Sequence, residues 1–453
     1  MTAIYVFCTL AVLLMLGKIL RIFIPLIQRL YLPSSVIGGL VGLLIFSLFG
    51  QDLPPELLGG IKKIPGFMIN VIFAALFLGT VPPHFKKIFN TAFPQICMGQ
   101  LLAWGQYVIG LGLAGFVFLP YFGLPPAFGN LLEIGFQGGH GTVGGVAEVF
   151  SNFNWEDGIA LGYTVATFGM IVGIILGMFL VNWALKKGYV KEIRTFNDRN
   201  RMERIGIYQQ AERPSAGLQT VFCDSLDSLA FHISIIGMSI LIGLGVLKGM
   251  QAIEILVRPE AKVLFFKGFP LFPLCMIGGV VIQVFLNKLR IGHLVDKEQM
   301  QRLSGASLDF LVVSAVAAIQ LKVIADNFVP LIIMTVVGAI FCVFMVVVIA
   351  PKLFKNAWFE KAISEFGQAT GVTATGLMLL RTVDPENKTD AAASFGYKQL
   401  IHEPIMGGGL WTALALTLVF TVGWLKIWVF CCVMFVIWGG LAVWIILKNR
   451  KGA

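Results

Sequence analysis

Long apolar runs separated by short polar segments dominate the chain, and they predict a series of membrane-spanning helices. A run of at least about 17 apolar residues is long enough to cross the hydrocarbon core of a bilayer. The first run starts at Thr2 with no basic segment or cleavage site, so we interpret it as a span and not as a signal peptide. The predicted spans are 3–23, 33–49, 64–80, 94–119, 157–185, 227–247, 263–286, 303–321, 329–350, 396–421 and 424–446.

Two glycine-rich segments, 125–150 and 357–381, interrupt this pattern. They contain Phe136 to Gly145 (FQGGHGTVGG) and Phe366 to Gly376 (FGQATGVTATG). Both are too polar for ordinary spans and too apolar for aqueous loops. Because unpaired backbone amides cannot face lipid, such segments must be buried in protein or line a watery cavity. They therefore predict two re-entrant helical hairpins.

Composition agrees with an all-α polytopic membrane protein. The chain is 57% apolar and 13% charged, with a mean hydropathy of +0.85. Its net charge of +10 comes from basic residues in short loops, which set orientation, so we predict no nucleic-acid partner. Seven scattered cysteines form neither a disulfide framework nor a zinc motif. We expect no cofactor.

The basic residues also predict an orientation. Lysine and arginine follow the first, third, seventh, ninth and last spans, and the stretch from Lys186 to Arg213 holds eight basic and four acidic residues. With eleven spans, an external N-terminus and a cytoplasmic C-terminus place every strongly basic loop on the cytoplasmic side of a bacterial inner membrane. The two hairpins then enter from opposite sides.

An internal repeat supports this topology. Pro33 to Val41 (PSSVIGGLV) recurs as Pro273 to Val281 (PLCMIGGVV), 240 residues later, and the glycine-rich segments lie 230 residues apart. The pattern predicts two inverted repeats of five spans, each with one hairpin, followed by one additional span. We expect the paired glycines to permit close helix packing. The predicted units are 1–185, a basic cytoplasmic linker at 186–219, 220–421, and 422–453.

Four stretches carry a resemblance to the bacterial sodium/glutamate symporter family. They are Pro33 to Leu40, Gly138 to Thr142 (GGHGT), Ala166 to Gly169 (ATFG), and Gly371, Thr373 and Thr375 in the pattern G-x-T-x-T. The resemblance implies sodium-coupled uptake of an acidic amino acid, two inverted halves with re-entrant loops, and a homodimer with elevator-like motion.

The chain departs from the family pattern in both hairpins. Gln137 stands where family members carry serine, and Glu365 stands where they carry histidine. The second hairpin also lacks the family's glycine-richer run before the threonines. These changes lie at the expected site, so they bear on the substrate more than on the fold.

The hairpin tips hold the candidate substrate residues. Free amides at a half-helix N-terminus attract carboxylates, and glycine lets a ligand approach them closely. Small residues also serve helix packing, but the polar residues among these glycines favour a site. His140 suits a donor to a carboxylate, a proton carrier, or a neutral side chain that shapes the turn. The predicted substrate-binding residues are Gln137, Gly138, Gly139, His140, Gly141, Thr142, Gln368, Gly371, Thr373 and Thr375.

The coupling ion needs oxygen ligands. Asp309 is a carboxylate within a predicted span, which suits either a sodium ligand or a salt-bridge partner. The predicted sodium-binding residues are Asp309, Asn70, Thr370 and Ser307.

These features favour a sodium-coupled carrier of glutamate or a related acidic amino acid. The alternative is a sodium- or proton-coupled carrier of a di- or hydroxycarboxylate. A channel would conduct without a coupled gradient. An enzyme is disfavoured because the sequence contains no metal-ligand spacing, nucleophile elbow or phosphate-binding loop. The expected partners are membrane lipid, a small anionic solute, sodium and a second copy of the chain.

Overall fold

The computed structural model describes residues 2–29, 32–49, 53–80, 85–190, 200–209, 213–257, 266, 269–385 and 388–451, with the side chains of 85–91 and 451 set aside. Within these ranges the regular structure is entirely helical. The beginning of the predicted seventh span, 263–265, and positions 191–199 and 210–212 of the predicted linker lie outside the described residues.

The first half contains five long helices and the first glycine-rich segment. The helices are α1 (Thr2–Phe23), α2 (Ser34–Phe49), α3 (Pro55–Ala75), α4 (Phe85–Leu113, extended through Ala114–Phe118 and Leu119–Phe122) and α5 (Asp157–Lys186). We use "first hairpin" for 126–152. It comprises Pro126–Asn130, Leu131–Glu133, Ile134–Gly138, Gly139–Gly145 and Ala147–Asn152.

In the second half, four long helices precede the second glycine-rich segment and three helices follow it. These helices are α6 (Ser228–Val257), α7 (Phe272–Lys288), α8 (Lys297–Ala317), α9 (Phe328–Phe344, extended through Met345–Ile349 and Ala350–Leu353), α10 (Ala391–His402), α11 (Leu410–Thr421) and α12 (Trp424–Lys451). We use "second hairpin" for Trp358–Val383, between α9 and α10. The shorter helices are Pro25–Arg29, Arg201–Ile205, Gly292–Leu294 and Leu321–Asp326.

Seven described helices are long and apolar enough to cross a membrane, which confirms a polytopic α-helical membrane protein. α2, α7 and α11 are shorter apolar helices. The prediction of one continuous span over 396–421 is wrong, because α10 ends at His402 and α11 begins at Leu410. The positive φ angles of Gly407 and Gly408 interrupt the helix there.

The helices pack as two bundles. α1, α2 and α3 pack with α6, α7 and α8, whereas α4, α5, α9, α10, α11 and α12 surround the two hairpins. Each bundle therefore takes corresponding elements from both halves of the chain. The bundles meet where the arm Gly139–Gly145 of the first hairpin lies against α3 and α8.

The repeated glycine pair lies at matching helix crossings. Gly38 lies against the Leu13 carbonyl of α1, and Gly278 lies against the Ser239 carbonyl of α6. Each second helix thus packs tightly on the first helix of its own half. The neighbouring glycines instead face the third helix of the opposite half: Gly39 meets Val316 of α8, and Gly279 meets the Ala74 carbonyl of α3.

Replacing Gly278 by alanine is expected to destabilise the protein by roughly 1–3 kcal/mol, because the added methyl group overlaps the Ser239 carbonyl and forces α6 and α7 apart. Gly237→Ala in α6 is the matched control, since no atom lies within 4 Å of its added carbon. Thermal unfolding in detergent compares the two variants. Equal melting temperatures would contradict the close crossing.

Candidate functional site

Both hairpins contain a backbone break at the predicted tip. In the first hairpin, Gly139 has φ 70° and ψ −167° between Ile134–Gly138 and the following arm. In the second, Gly371 (φ −148°) and Val372 (φ 63°, ψ 174°) are non-helical inside Trp358–Val383. Each break leaves main-chain groups without their helical partners. A side chain at Gly139 would collide with Val372, so the two tips are in contact.

The two arms of the second hairpin lie side by side on either side of its break. A β-carbon on Gly367 would lie 2.6 Å from the Cα atom of Gly376. Helix α5 packs equally closely on the tip, since a β-carbon on Gly173 would lie 2.5 Å from the Thr370 hydroxyl. Glycine at these positions lets the tip be enclosed by main chain.

Polar side chains surround the first tip. Gln137 is 2% exposed, and neither of its amide atoms has a hydrogen-bond partner among the described residues. Nε2 of His140 lies 2.9 Å from the Thr167 hydroxyl, which donates to the Tyr163 carbonyl. The hydroxyl proton is used there, so His140 carries its proton on Nε2 and leaves Nδ1 as an acceptor. Thr142 donates to the Gly138 carbonyl.

The hydroxyls of the second tip are mostly tied to their own hairpin. Thr370 donates to the Phe366 carbonyl at 2.8 Å, and Thr375 donates to the Gly371 carbonyl. Thr373 accepts a 2.6 Å hydrogen bond from Gln399 of α10. Of these three hydroxyls, that of Thr373 is hydrogen-bonded to a neighbouring helix.

The interruption between α10 and α11 brings a third break to the first tip. Gly407 lies close to Gln137, and Gly408 lies against the Thr142 hydroxyl. Sequence reasoning missed this contribution because it treated 396–421 as continuous. Three consecutive glycines after Glu403-Pro404 were the available signal, since neither glycine nor proline favours a helix interior.

A buried carboxylate fixes this third break. Glu133 is fully buried in the first hairpin and accepts hydrogen bonds from Tyr107 (2.7 Å), from the Gly407 amide (2.8 Å) and from Thr412 (3.0 Å). Its partners come from α4, the interruption and α11. Glu133 therefore holds the unwound backbone against the first hairpin, and its charge is satisfied by three donors.

The match to known families covers all elements up to the end of the second hairpin. The family described as sodium/glutamate symporter matches residues 1–384. The chain belongs to the sodium/glutamate symporter family. It is accordingly a membrane transporter and not an enzyme, with sodium as its coupling ion and no cofactor. No curated protein matches the chain.

The boundary of the family match separates two parts of the site. Both hairpins and Glu133 lie inside the matched residues, whereas α10, the interruption and α11 lie outside them. Lys398 and Gln399 on α10 contact the second hairpin and were not singled out from the sequence.

The predicted sodium ligands are spread over both bundles of this family member. Asp309 is exposed on α8, with Ser35 of α2 as a polar neighbour. Asn70 donates to the Gly66 carbonyl and lies beside Cys275. Neither contacts Thr370, which is enclosed at the second tip. Ser307 is buried, one helical turn before the Leu311 side chain that faces Gly141.

Unlike the predicted sodium ligands, most of the predicted substrate-binding residues lie close together in the structure. Gly139 and Val372 join the two tips, and Gln137 and Thr142 adjoin the third break. Gly141 faces Ile69 of the other bundle, so this part of the tip lies at the boundary between the bundles. The arrangement can present main-chain and amide groups to one small solute from three directions.

Proposed function

We propose that this chain carries out sodium-coupled symport of glutamate, with the solute bound where the two tips and the α10–α11 interruption meet. The observation that carries the proposal is the Gln137 side chain, whose two amide atoms are buried without partners among the described residues. Such an unsatisfied group costs about 1–3 kcal/mol unless a ligand or water satisfies it. A carboxylate suits the amide N–H, and an ammonium suits the amide oxygen.

The second tip supplies complementary groups. After the break at Val372 the second arm runs from Thr373 to Val383, so its first amides point toward the tip with partial positive charge. Gly371 and Gly139 let a carboxylate approach these amides. His140 Nδ1 provides an acceptor for the solute's ammonium group. Membership of the family supports the choice of sodium and glutamate.

The proposed oxygen ligands for sodium fall into two groups, one near the tips and one within the other bundle. Ser307 and Thr370 remain candidates because each is buried close to a hairpin arm. For Asp309 and Asn70, we propose sites within the other bundle, where each has a polar neighbour. Sodium favours hard oxygen ligands such as hydroxyls, carboxylates and unwound main-chain carbonyls.

Alternating access follows from the two bundles. We propose that the hairpin bundle moves as a body against α1–α3 and α6–α8, in the manner of an elevator, while the inverted halves provide the two access states. The boundary at Gly141 and Ile69 is the sliding contact in this scheme. We further propose a homodimer, which the family resemblance implies, and an external N-terminus with a cytoplasmic C-terminus, which the basic loops indicate.

Uptake into proteoliposomes tests this function. Labelled glutamate is expected to accumulate under an inward sodium gradient and not under a proton gradient alone. Gln137→Leu, which keeps the volume but removes the polar atoms, is expected to raise the half-saturating glutamate concentration about tenfold or more, because one hydrogen bond to a charged group contributes about 1.5–3 kcal/mol. Sodium-independent uptake, or preferred uptake of a hydroxycarboxylate, would overturn the assignment.

A further inference from the structure

An enclosed ion pair joins the second hairpin to α10. Glu365 of the first arm and Lys398 of α10 are both fully buried, and Nζ lies 3.0 Å from Oε2 of the carboxylate. Lys398 also donates to the amide oxygen of Gln368. The ammonium therefore contacts oxygens from two successive turns of the same arm.

A third element completes the oxygen-rich pocket. Gln95 of α4 donates to the other carboxylate oxygen of Glu365 at 2.9 Å. Its own amide oxygen is buried without a hydrogen-bond partner among the described residues. The ammonium thus faces one carboxylate oxygen and the amide oxygen of Gln368, while Gln95 holds the other carboxylate oxygen from α4. Hard oxygen ligands with one negative charge are the environment that an alkali-metal ion prefers.

Close packing holds the ammonium in this pocket. A β-carbon on Gly99 of α4 would lie 2.8 Å from Nζ of Lys398 and 3.0 Å from Oε2 of Glu365. Glycine at this position lets α4 cover the pair. A buried carboxylate is strongly unfavourable unless a proton or a cation neutralises it, and here the ammonium of Lys398 does so.

The pocket lies next to the backbone break. Gln368 precedes Gly371 by about one helical turn, and Gln399, the neighbour of Lys398, binds Thr373 on the opposite arm at 2.6 Å. Helix α10 thus holds the two arms on both sides of the break. The ammonium provides permanently the charge that a bound metal ion would provide reversibly.

We propose that Lys398 is a tethered cation that fills a latent site for a monovalent metal ion, formed by the oxygens of Glu365 and Gln368, with Gln95 fixing the carboxylate. This pocket therefore binds no sodium in the natural chain, and removal of the ammonium converts it into a sodium site. Any effect of this site on the coupling of transport to sodium rests on the proposed function. The ion site itself does not depend on that function.

The test uses Lys398→Met in the full-length protein, purified in detergent. Its melting temperature is measured in sodium chloride and in choline chloride of equal concentration. Sodium is expected to stabilise Lys398→Met by at least about 3 °C more than it stabilises the natural protein, because an ion that binds only the folded state raises its melting temperature. The double variant Glu365→Gln/Lys398→Met also removes the carboxylate that contacts the ammonium, so it is expected to lose this additional shift.

Each result decides the proposal. Equal sodium responses in the three proteins overturn it, as does an additional response that persists in the double variant. Absence of folded Lys398→Met protein in sodium chloride also overturns it, since sodium then fails to replace the ammonium. The measurement uses no glutamate. Its outcome therefore stays valid even if the proposed substrate is wrong.

Discussion

Glutamate uptake is expected to be lost when Gly139 is replaced by alanine. The residue has φ 70° and ψ −167°, a conformation open essentially to glycine alone, and its β-carbon would collide with Val372. Backbone strain of about 1–3 kcal/mol adds to a similar cost of overpacking, so the native tip is replaced by a shifted one. Uptake at subsaturating glutamate is expected to fall at least tenfold, which corresponds to about 1.4 kcal/mol.

Two variants separate the causes of this loss. Gly123→Ala introduces alanine at a similar φ of 67°, but no atom lies within 4 Å of the added carbon, and we expect it to keep uptake within about twofold because the strain is far from the tips. Val372→Ala on the Gly139→Ala background removes the collision and is expected to restore part of the uptake. Normal uptake by Gly139→Ala alone would remove the contact between the tips from the transport mechanism.

Replacing Glu133 by alanine is expected to give the largest loss of stability. The change leaves the Tyr107 hydroxyl, the Gly407 amide and the Thr412 hydroxyl without their buried acceptor. Each unsatisfied donor costs about 1–3 kcal/mol, so we expect the free energy of unfolding to fall by roughly 3–5 kcal/mol after relaxation. The measurement is thermal or denaturant unfolding in detergent.

Milder variants test whether the network is responsible. Tyr107→Phe removes one donor and is expected to cost about 1 kcal/mol. Glu148→Ala changes an exposed carboxylate in the same hairpin and is expected to stay within about 0.5 kcal/mol of the natural protein. If Glu148→Ala and Glu133→Ala unfold together, the three hydrogen bonds do not hold the interruption in place.

The general fold was predictable because hydropathy reports burial in lipid directly. The family and the all-α polytopic class are confirmed, and both glycine-rich segments contain a backbone break at their most polar point. Glycine and polar residues inside an apolar run conflict with a lipid-facing helix, and this conflict marked Gly139 and Gly371 in the sequence alone.

The interruption between α10 and α11 was not predictable by the same reasoning. Glycines at 407–409 are apolar enough to continue a hydropathy run, so the break depends on the acceptor Glu133, 274 residues away from Gly407. The enclosed pair of Glu365 and Lys398 was missed for a related reason. Each charge was visible, but only the fold brings Lys398 of α10 to Glu365 of the second hairpin, beneath Gly99 of α4.

The exchange of third helices between the halves has a consequence for biosynthesis. Gly39 packs against Val316, and Gly279 packs against Ala74, so each half is covered by a helix from the other. While the ribosome synthesises the first half, the face of α2 at Gly39 has no native neighbour until α8 has emerged and entered the bilayer. Insertion of single helices can therefore proceed in order along the chain, whereas assembly of the bundle must wait for the second half.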